Sequence, residues 1–440
     1  MTLEQKITSK NITVGVVGLG YVGLPLAVEY AAQGFTTIGI DVDENKVNAI
    51  NKGKNYIDDV DSALLRSVVK DGFFRAENHY KSVKKMDVIF ICVPTPFTET
   101  KDPDISYIID SAEGILTGLK KEQIVILKST TFPGTTQEYV QPILERKGFA
   151  AGKDYYLAFS PERIDPGNKT WNTSNTPTVV GGVTKKCTKL ASLVTAQVIE
   201  QVVEVSNPKI AEMEKLLENI FRSVNIALVN ELAQLCDRME GIDMWEVIEA
   251  AKTKPFGFMP FYPGPGIGGH CILIDPYYLS WIARKYDFQT NFIGLAAETN
   301  ESMPFYVKNM IFREISMLPI AMKDANILML GVAFKKDVDD TRHSPALRVM
   351  ELLLMDNVRK LHYNDPWVPQ VRVNGSTLKS KKLTPALLEK MDVVVITTDH
   401  SDYDYDMIVK HAKVVVDTRN ATHHVKGKKK HVTVLGDGRK

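Results

Sequence analysis

No stretch of this chain approaches the run of about 20 apolar residues that a bilayer-crossing helix requires. The longest apolar runs, at 88–93 and 393–396, are short. The first residues, MTLEQKITSKN, lack the apolar core of a signal peptide. Charge of one sign is also missing: 54 Lys and Arg stand against 53 Asp and Glu, a formal net charge of +1. That balance removes the electrostatic footprint of a nucleic-acid binder. Cysteine is scarce, with Cys92, Cys187, Cys236 and Cys271 scattered and no CxxC spacing, so neither a zinc site nor a disulfide framework is suggested. No period of about 20–50 residues recurs, which excludes solenoids. The expectation is a cytoplasmic protein with no metal, no membrane association and no nucleic-acid partner.

What is present is ordinary globular composition, 44% hydrophobic and 24% charged. At about 150 residues per domain, the length of 440 suggests two or three domains, and the core needs no staples. Residues 12–18 (ITVGVVG) read as a β-branched strand, followed by a helical pattern to about Gln33 and a strand at 36–40. Further strands are expected around 88–93, at 124–129 and at 156–159. Strands alternating with helices indicate βαβ units and a parallel sheet over roughly 1–205.

From Asn207 to Met239, apolar residues recur at intervals of three and four with no Gly, and no Pro after Pro208, predicting one long helix. More helices are expected to about Met317, interrupted by 253–270 (TKPFGFMPFYPGPGIGGH), too rich in Pro and Gly for a regular element. Strand–helix alternation resumes at Asn326. The expected architecture is α/β: two Rossmann-like doubly wound domains, 1–205 and 321–440, joined by a long central helix and a helical middle domain, 206–320. The last fifteen residues hold six Lys or Arg and read as a solvated terminus.

Several clusters carry chemistry. Gly18-Leu-Gly20-Tyr21-Val22-Gly23 follows the first strand and opens the first helix. Such glycines permit a tight turn, close approach of a pyrophosphate and close helix–strand packing, with the helix N-terminus offering N–H groups to phosphate. Asp41 ends the next strand, where a carboxylate accepts ribose hydroxyls and repels a 2′-phosphate, favouring NAD. The alternative is a plain βαβ turn. Gly264-Pro-Gly-Ile-Gly268-Gly-His-Cys271 brings glycine-rich backbone to a cysteine, with Asp275 four residues on. A nucleophilic thiol needs a lowered pKa or a nearby base; a lone cysteine is otherwise a small buried hydrophobe. His270, adjacent in sequence, is not expected to be that base. Lys215 and Asn219 share a helix face and suit an oxyanion, or are simply solvated. Glu162 follows the fifth strand as a candidate base or a helix cap. Thr130 ends the fourth, near cofactor or water, or as an N-cap.

GxGYVGLPLA, KSTTFPGTT, SPERIDPG, AEMEKLLEN, GPGIGGHC and GVAFKKDVDDTRHSPA occur in this order. The combination resembles the nucleotide-sugar dehydrogenases, the UDP-glucose/GDP-mannose dehydrogenase family, from about residue 10 to 425. The resemblance implies a four-electron oxidation of a sugar 6-hydroxyl with two NAD, through a thiohemiacetal and a thioester on Cys271. Lys215, Asn219 and Asp275 match residues that stabilise the oxyanion and organise water. Glu162 matches the proposed base and Thr130 a water-holding threonine. Thr95 and Arg342 match cofactor contacts, alongside Gly18, Gly20, Tyr21, Val22, Gly23 and Asp41. Phe334 and Lys335 match substrate-binding positions, as do Gly268, Phe261 and Tyr262, whose rings can stack on a uracil or pack the loop. The C-terminal domain would hold the UDP end, and the central helix would pair with its copy in a homodimer or higher oligomer. SPERIDPG and FRSVNIALVNE look like the branch acting on UDP-N-acetylhexosamines, nearest to UDP-N-acetylglucosamine 6-dehydrogenases, with Arg163 and Arg222 shaping the acetamido pocket. Leu273 departs from the Pro common there. A one-step hydroxy-acid dehydrogenase would not need Cys271. A non-catalytic nucleotide-sugar binder would not need Lys215, Asn219, Cys271 and Asp275 together.

Overall fold

The run read as the first strand forms β1 (Thr13–Val17), and the glycine motif lies in the turn from β1 into helix Gly23–Ala32. The computed structural model describes the whole chain apart from residues 58–59, 99, 165–169, 270, 428 and 440, and the side chain of Cys271. The described chain forms two compact units: Met1–Glu218 with Tyr277–Phe288, and Asn219–Pro276 with Gln289–Lys440.

The first unit is built on an eight-stranded sheet. Besides β1 it contains β2 (Thr36–Ile40), β3 (Phe74–Glu77), β4 (Val88–Ile91), β5 (Ile124–Leu127), β6 (Tyr156–Phe159), β7 (Thr178–Gly182) and β8 (Val202–Val205). Their spatial order is β3-β2-β1-β4-β5-β6-β7-β8. Alternate residues of each central strand enter different cores. Val14, Val16, Phe90 and Ile126 pack with Leu24, Ala27 and Tyr30 of the first helix. Val17, Ile89, Ile91 and Leu127 pack with Ile108, Ala112 and Ile115 of helix Ser106–Gly118. Burial on both faces is why these strands read as unbroken apolar runs.

One pairing departs from the parallel expectation: β7 runs antiparallel to β6, matching Ala158 with Gly182 and Phe159 with Gly181. A parallel neighbour needs a crossover element, and the described residues between these strands contain no helix. The edge strands β3 and β8 were not expected from sequence. Each carries polar, partly exposed residues that blur the apolar pattern.

The expected long helix spans Pro208–Cys236, with Pro208 at its first position, where no intrahelical N–H is required. The second unit holds helix Asn291–Ser316 and a five-stranded parallel sheet. Its strands are β9 (Asn326–Leu330), β10 (Lys360–Asn364), β13 (Val393–Ile396), β14 (Val415–Asp417) and β15 (Val432–Val434), in the order β10-β9-β13-β14-β15. An antiparallel hairpin of β11 (Gln370–Val373) and β12 (Ser376–Lys379) follows β10. Met303, Val307, Met310 and Ile311 of Asn291–Ser316 cover one face of the sheet through Ile327, Met329, Val393 and Val395. Ile408 and Val409 cover the other through Leu328, Leu330, Val394 and Ile396. Among the described residues no helix is long and apolar enough to cross a membrane.

In each sheet the strand order reverses beside the first strand, β1 or β9. Ligands of open α/β sheets bind outside strand carboxyl ends at such switch points. The first depends on close packing, since a Cβ at Gly23 would lie 1.8 Å from the Gly18 carbonyl oxygen. Gly23→Ala is therefore expected to destabilise the first unit by about 1–3 kcal/mol, read as a lowered thermal midpoint. An unchanged midpoint would show that the turn repacks freely.

Candidate functional site

In the first unit the glycine turn is fixed from below. Gly18 adopts φ +88° and donates its N–H to the Ile40 carbonyl at 2.8 Å. The buried Asp41 carboxylate accepts from Leu19 N at 2.8 Å and from Asp43 N at 2.9 Å, with the Lys46 ammonium at 3.4 Å. Tyr56, which sequence reasoning missed, donates its hydroxyl to the Leu19 carbonyl at 2.6 Å. Its phenol is pushed well up, first by burial and then by the charges of Asp41 and Asp43. A Cβ at Gly20 would meet nothing within 4 Å, so bare backbone faces open space. No side chain caps the helix that follows Val22, and Tyr21 is exposed. This open, uncapped turn fits the pyrophosphate of NAD, with Asp41 at the strand end where the ribose would lie. Thr95 donates to the Thr130 carbonyl at 2.8 Å, tying together the loops that follow β4 and β5.

After β6, Glu162 accepts from Arg163 N at 2.8 Å and Ile164 N at 3.0 Å. Its other oxygen lies 3.6 Å from the ammonium of Lys128, a lysine only 2% exposed. Lys128 also escaped the sequence reading; the available signal was a charge closing the apolar run IVIL. Arg163 is committed to Glu218, with Glu214 at 3.5 Å and the Pro177 carbonyl at 2.8 Å. Burial and the neighbouring Glu218 push the Glu214 carboxyl up to about 7. Lys215 is buried on the same helix. One turn earlier, the fully buried Glu212 accepts from Gly134 N at 2.6 Å, Thr136 N at 2.9 Å and the Thr136 hydroxyl at 2.7 Å. It fastens the start of the central helix to the segment after Thr130.

In the second unit, Asn219 donates its amide to Asp275 at 2.5 Å, and both are buried. Asp275 lies in helix Cys271–Ala283, one turn after Cys271. The Cys271 side chain and His270 lie outside the described residues. The glycine-rich approach to Cys271 is packed by the loop after β9. Gly269 donates to the Arg342 carbonyl at 2.9 Å, and a Cβ at Gly268 would lie 2.5 Å from the Phe334 Cβ. Lys335 is half-buried in that loop. The Arg342 guanidinium pairs with Asp340 at 2.6 Å.

Arg222 is exposed on the central helix. Phe261 meets Phe221 edge-to-face with ring centroids 5.7 Å apart. Tyr262 stacks on Trp245 at 5.8 Å and donates to Glu249 at 2.6 Å. Tyr262 also lines a cavity of about 950 Å³ with Trp245, Lys336, Arg419, His423 and Arg439. Lys336 and Arg419 were missed; each directly follows a strand-end segment, AFK or VVVDT. Among the described residues no group of three or more His, Cys, Asp or Glu is placed to hold a metal.

Models of the UDP-glucose/GDP-mannose dehydrogenase family match the chain in three successive stretches. These are its NAD binding domain over residues 12–199, its central domain over 209–302 and its UDP binding domain over 328–424. The chain is 33% identical over 453 residues to a UDP-N-acetyl-D-mannosamine dehydrogenase of Methanococcus vannielii, covering 100% of both chains. It is 36% identical over 361 residues to a UDP-N-acetyl-D-glucosamine 6-dehydrogenase of Pseudomonas aeruginosa, covering 82% of this chain and 84% of that one. A solved UDP-D-ManNAc dehydrogenase of Pyrococcus horikoshii superposes with TM-score 0.87 at 31% identity, covering 97% of this chain and 100% of that one.

The Glu214 carboxyl gives a pH signature. Its pKa is raised from 4.5 to about 7 in the fold, so the native state binds the proton more tightly than the unfolded chain. Its contribution is favourable at low pH and is lost as pH rises from about 4.5 through 7. Glu214→Gln removes that loss and still donates to Glu218. The variant is expected to gain up to about 3 kcal/mol over the parent at pH 8 and little at pH 4, measured by urea unfolding. Equal effects at both pH values would refute the raised pKa.

Proposed function

Because the chain belongs to the UDP-glucose/GDP-mannose dehydrogenase family, we propose that it oxidises the 6-hydroxyl of a UDP-N-acetylhexosamine to the carboxylate, using NAD. The observation that carries this reading is the buried Asn219–Asp275 bond, an amide and an acid joined one helical turn along the chain from Cys271. NAD, when bound, takes up a hydride in each of the two oxidations.

The chain's own residues do the rest. Glu162 takes the 6-hydroxyl proton as the alcohol becomes an aldehyde, with the buried Lys128 ammonium 3.6 Å from its second oxygen. The Cys271 thiolate adds to the aldehyde carbon, forming a carbon–sulfur bond and an alkoxide. Lys215 and the Asn219 amide stabilise that oxyanion. Loss of the second hydride leaves a thioester. Water, held by Thr130 and oriented by Asp275, attacks it and breaks the carbon–sulfur bond. The carboxylate leaves and the thiol is regenerated. The glycine turn with Gly20 and Asp41 holds the dinucleotide. The cavity bearing Lys336 and Arg419 supplies cationic groups for the UDP end.

UDP-N-acetylglucosamine is the first reading of the sugar, supported by SPERIDPG, FRSVNIALVNE and the 36% identical relative. UDP-N-acetylmannosamine is the second, supported by the full-length relative at 33% identity. The central helix also leaves Leu217 59% and Leu228 52% exposed, with Ile210, Met213 and Phe221 exposed alongside. These apolar side chains support pairing with a second copy.

The deciding assay is NADH formed per UDP-sugar consumed, over UDP-glucose, UDP-N-acetylglucosamine and its manno and galacto epimers. Two NADH per UDP-N-acetylglucosamine are expected. Two with another sugar would replace the specificity alone, and one would overturn the thioester route. Cys271→Ser is expected to lower acid formation by about 100-fold or more. In light scattering the protein is expected at twice its 49.2 kDa chain mass or a higher multiple, with Leu217→Glu shifting it toward the single chain. A monomeric parent protein would refute the pairing.

A further inference from the structure

Three neighbouring strands of the second sheet converge on one buried pair, His400 and Asp365. Asp365 follows β10, His400 follows β13, and the loop they hold follows β9, which lies between them. The pair is nearly inaccessible, with His400 0% and Asp365 3% exposed. Asp365 accepts from Val332 N at 2.7 Å and Ala333 N at 3.1 Å, at the start of the loop. His400 accepts from Asp337 N at 3.0 Å through Nδ1 and meets Asp365 at 3.1 Å through Nε2.

These bonds fix the tautomer. Nδ1 receives an N–H, so it carries no hydrogen, and the ring proton sits on Nε2 and is donated to Asp365. Burial pushes the Asp365 carboxyl up, but the bonds from His400 and the backbone outweigh it and hold the group below its usual range. Asp337 sits at φ +58°, a left-handed conformation that a side chain normally disfavours. Its carboxylate accepts from Ser401 N and the Ser401 hydroxyl, both at 2.7 Å. The loop is therefore pinned on either side of Phe334, Lys335 and Lys336. Phe334 packs on the glycines before Cys271, and Lys336 lines the cavity.

We propose that the His400–Asp365 pair is the positioning element of this substrate loop: it sets the backbone on both sides of Lys335 and Lys336, and so the affinity for the diphosphate of a nucleotide sugar. His400 touches no substrate in this role; it acts through the loop. The inference rests on the nucleotide-sugar reading above.

The test is UDP binding by calorimetry together with separate KM values for UDP-sugar and NAD. His400→Phe keeps an aromatic ring and loses both bonds. His400→Asn keeps an acceptor where Nδ1 stood, and His400→Gln keeps a donor where Nε2 stood. In His400→Phe the UDP Kd and the UDP-sugar KM are expected to rise about tenfold or more, with the NAD KM within about twofold. His400→Asn is expected to recover part of the loss, since it still holds Asp337. If the Phe variant does not fold, the Asn and Gln variants carry the same comparison, each with a smaller rise. A folded variant with unchanged UDP affinity overturns the proposal, as does an equal rise in both KM values, which marks a merely structural residue. Unaltered protein that fails to bind UDP overturns the nucleotide-sugar reading instead.

Discussion

A carboxylate at a strand end that receives the backbone of the neighbouring loop is the constraint on which both units depend. Asp41 after β2 takes Leu19 N from the turn that follows β1. Asp365 after β10 takes Val332 N and Ala333 N from the loop that follows β9. Each acceptor stands one strand away from the switch point of its sheet. A turn bent sharply enough to expose its backbone to a ligand cannot satisfy its own N–H groups, and a buried unpaired N–H costs about as much as a lost hydrogen bond. The acid at the adjacent strand end removes that penalty and leaves the outer face of the loop available. Asp417, the last residue of β14, repeats the device, accepting from Arg419, Ala421 and Thr422 and so fixing the backbone of a residue that lines the cavity.

The central helix shows the same economy of buried charge. Glu212 is fully buried, yet backbone and hydroxyl donors from the segment after Thr130 satisfy it. Asn219 is oriented by Asp275 rather than by solvent. Burial raises the Glu212 carboxyl above its usual range, and these donors act against that rise. Lys215 lies between these anchored positions, on backbone that has little freedom.

Much of this was legible in the sequence because the signals are local. The β-branched run before Gly18, the glycine spacing and the acid at Asp41 follow from backbone geometry over some thirty residues. The three-and-four spacing of apolar residues gave the helix Pro208–Cys236 to within a few residues at each end. What escaped was non-local or polar. The antiparallel β7 depends on how the chain returns from β6, and the edge strands carry no clean alternation. Lys128, Glu212 and His400 look like ordinary polar residues until the fold buries them, and Tyr56 until its hydroxyl meets the Leu19 carbonyl.

The sequence by itself determined most of the element types and the family, through six motifs in order, because each rests on spacing along the chain. The tertiary structure alone decided what each polar side chain is spent on. Arg163 is drawn to Glu218 and Glu214, Tyr262 to Trp245 and Glu249, Phe261 to Phe221, and His400 to a loop more than sixty residues away. A buried polar group must find its partner in space, and sequence distance carries no information about which donor or acceptor the fold will bring within about 3 Å.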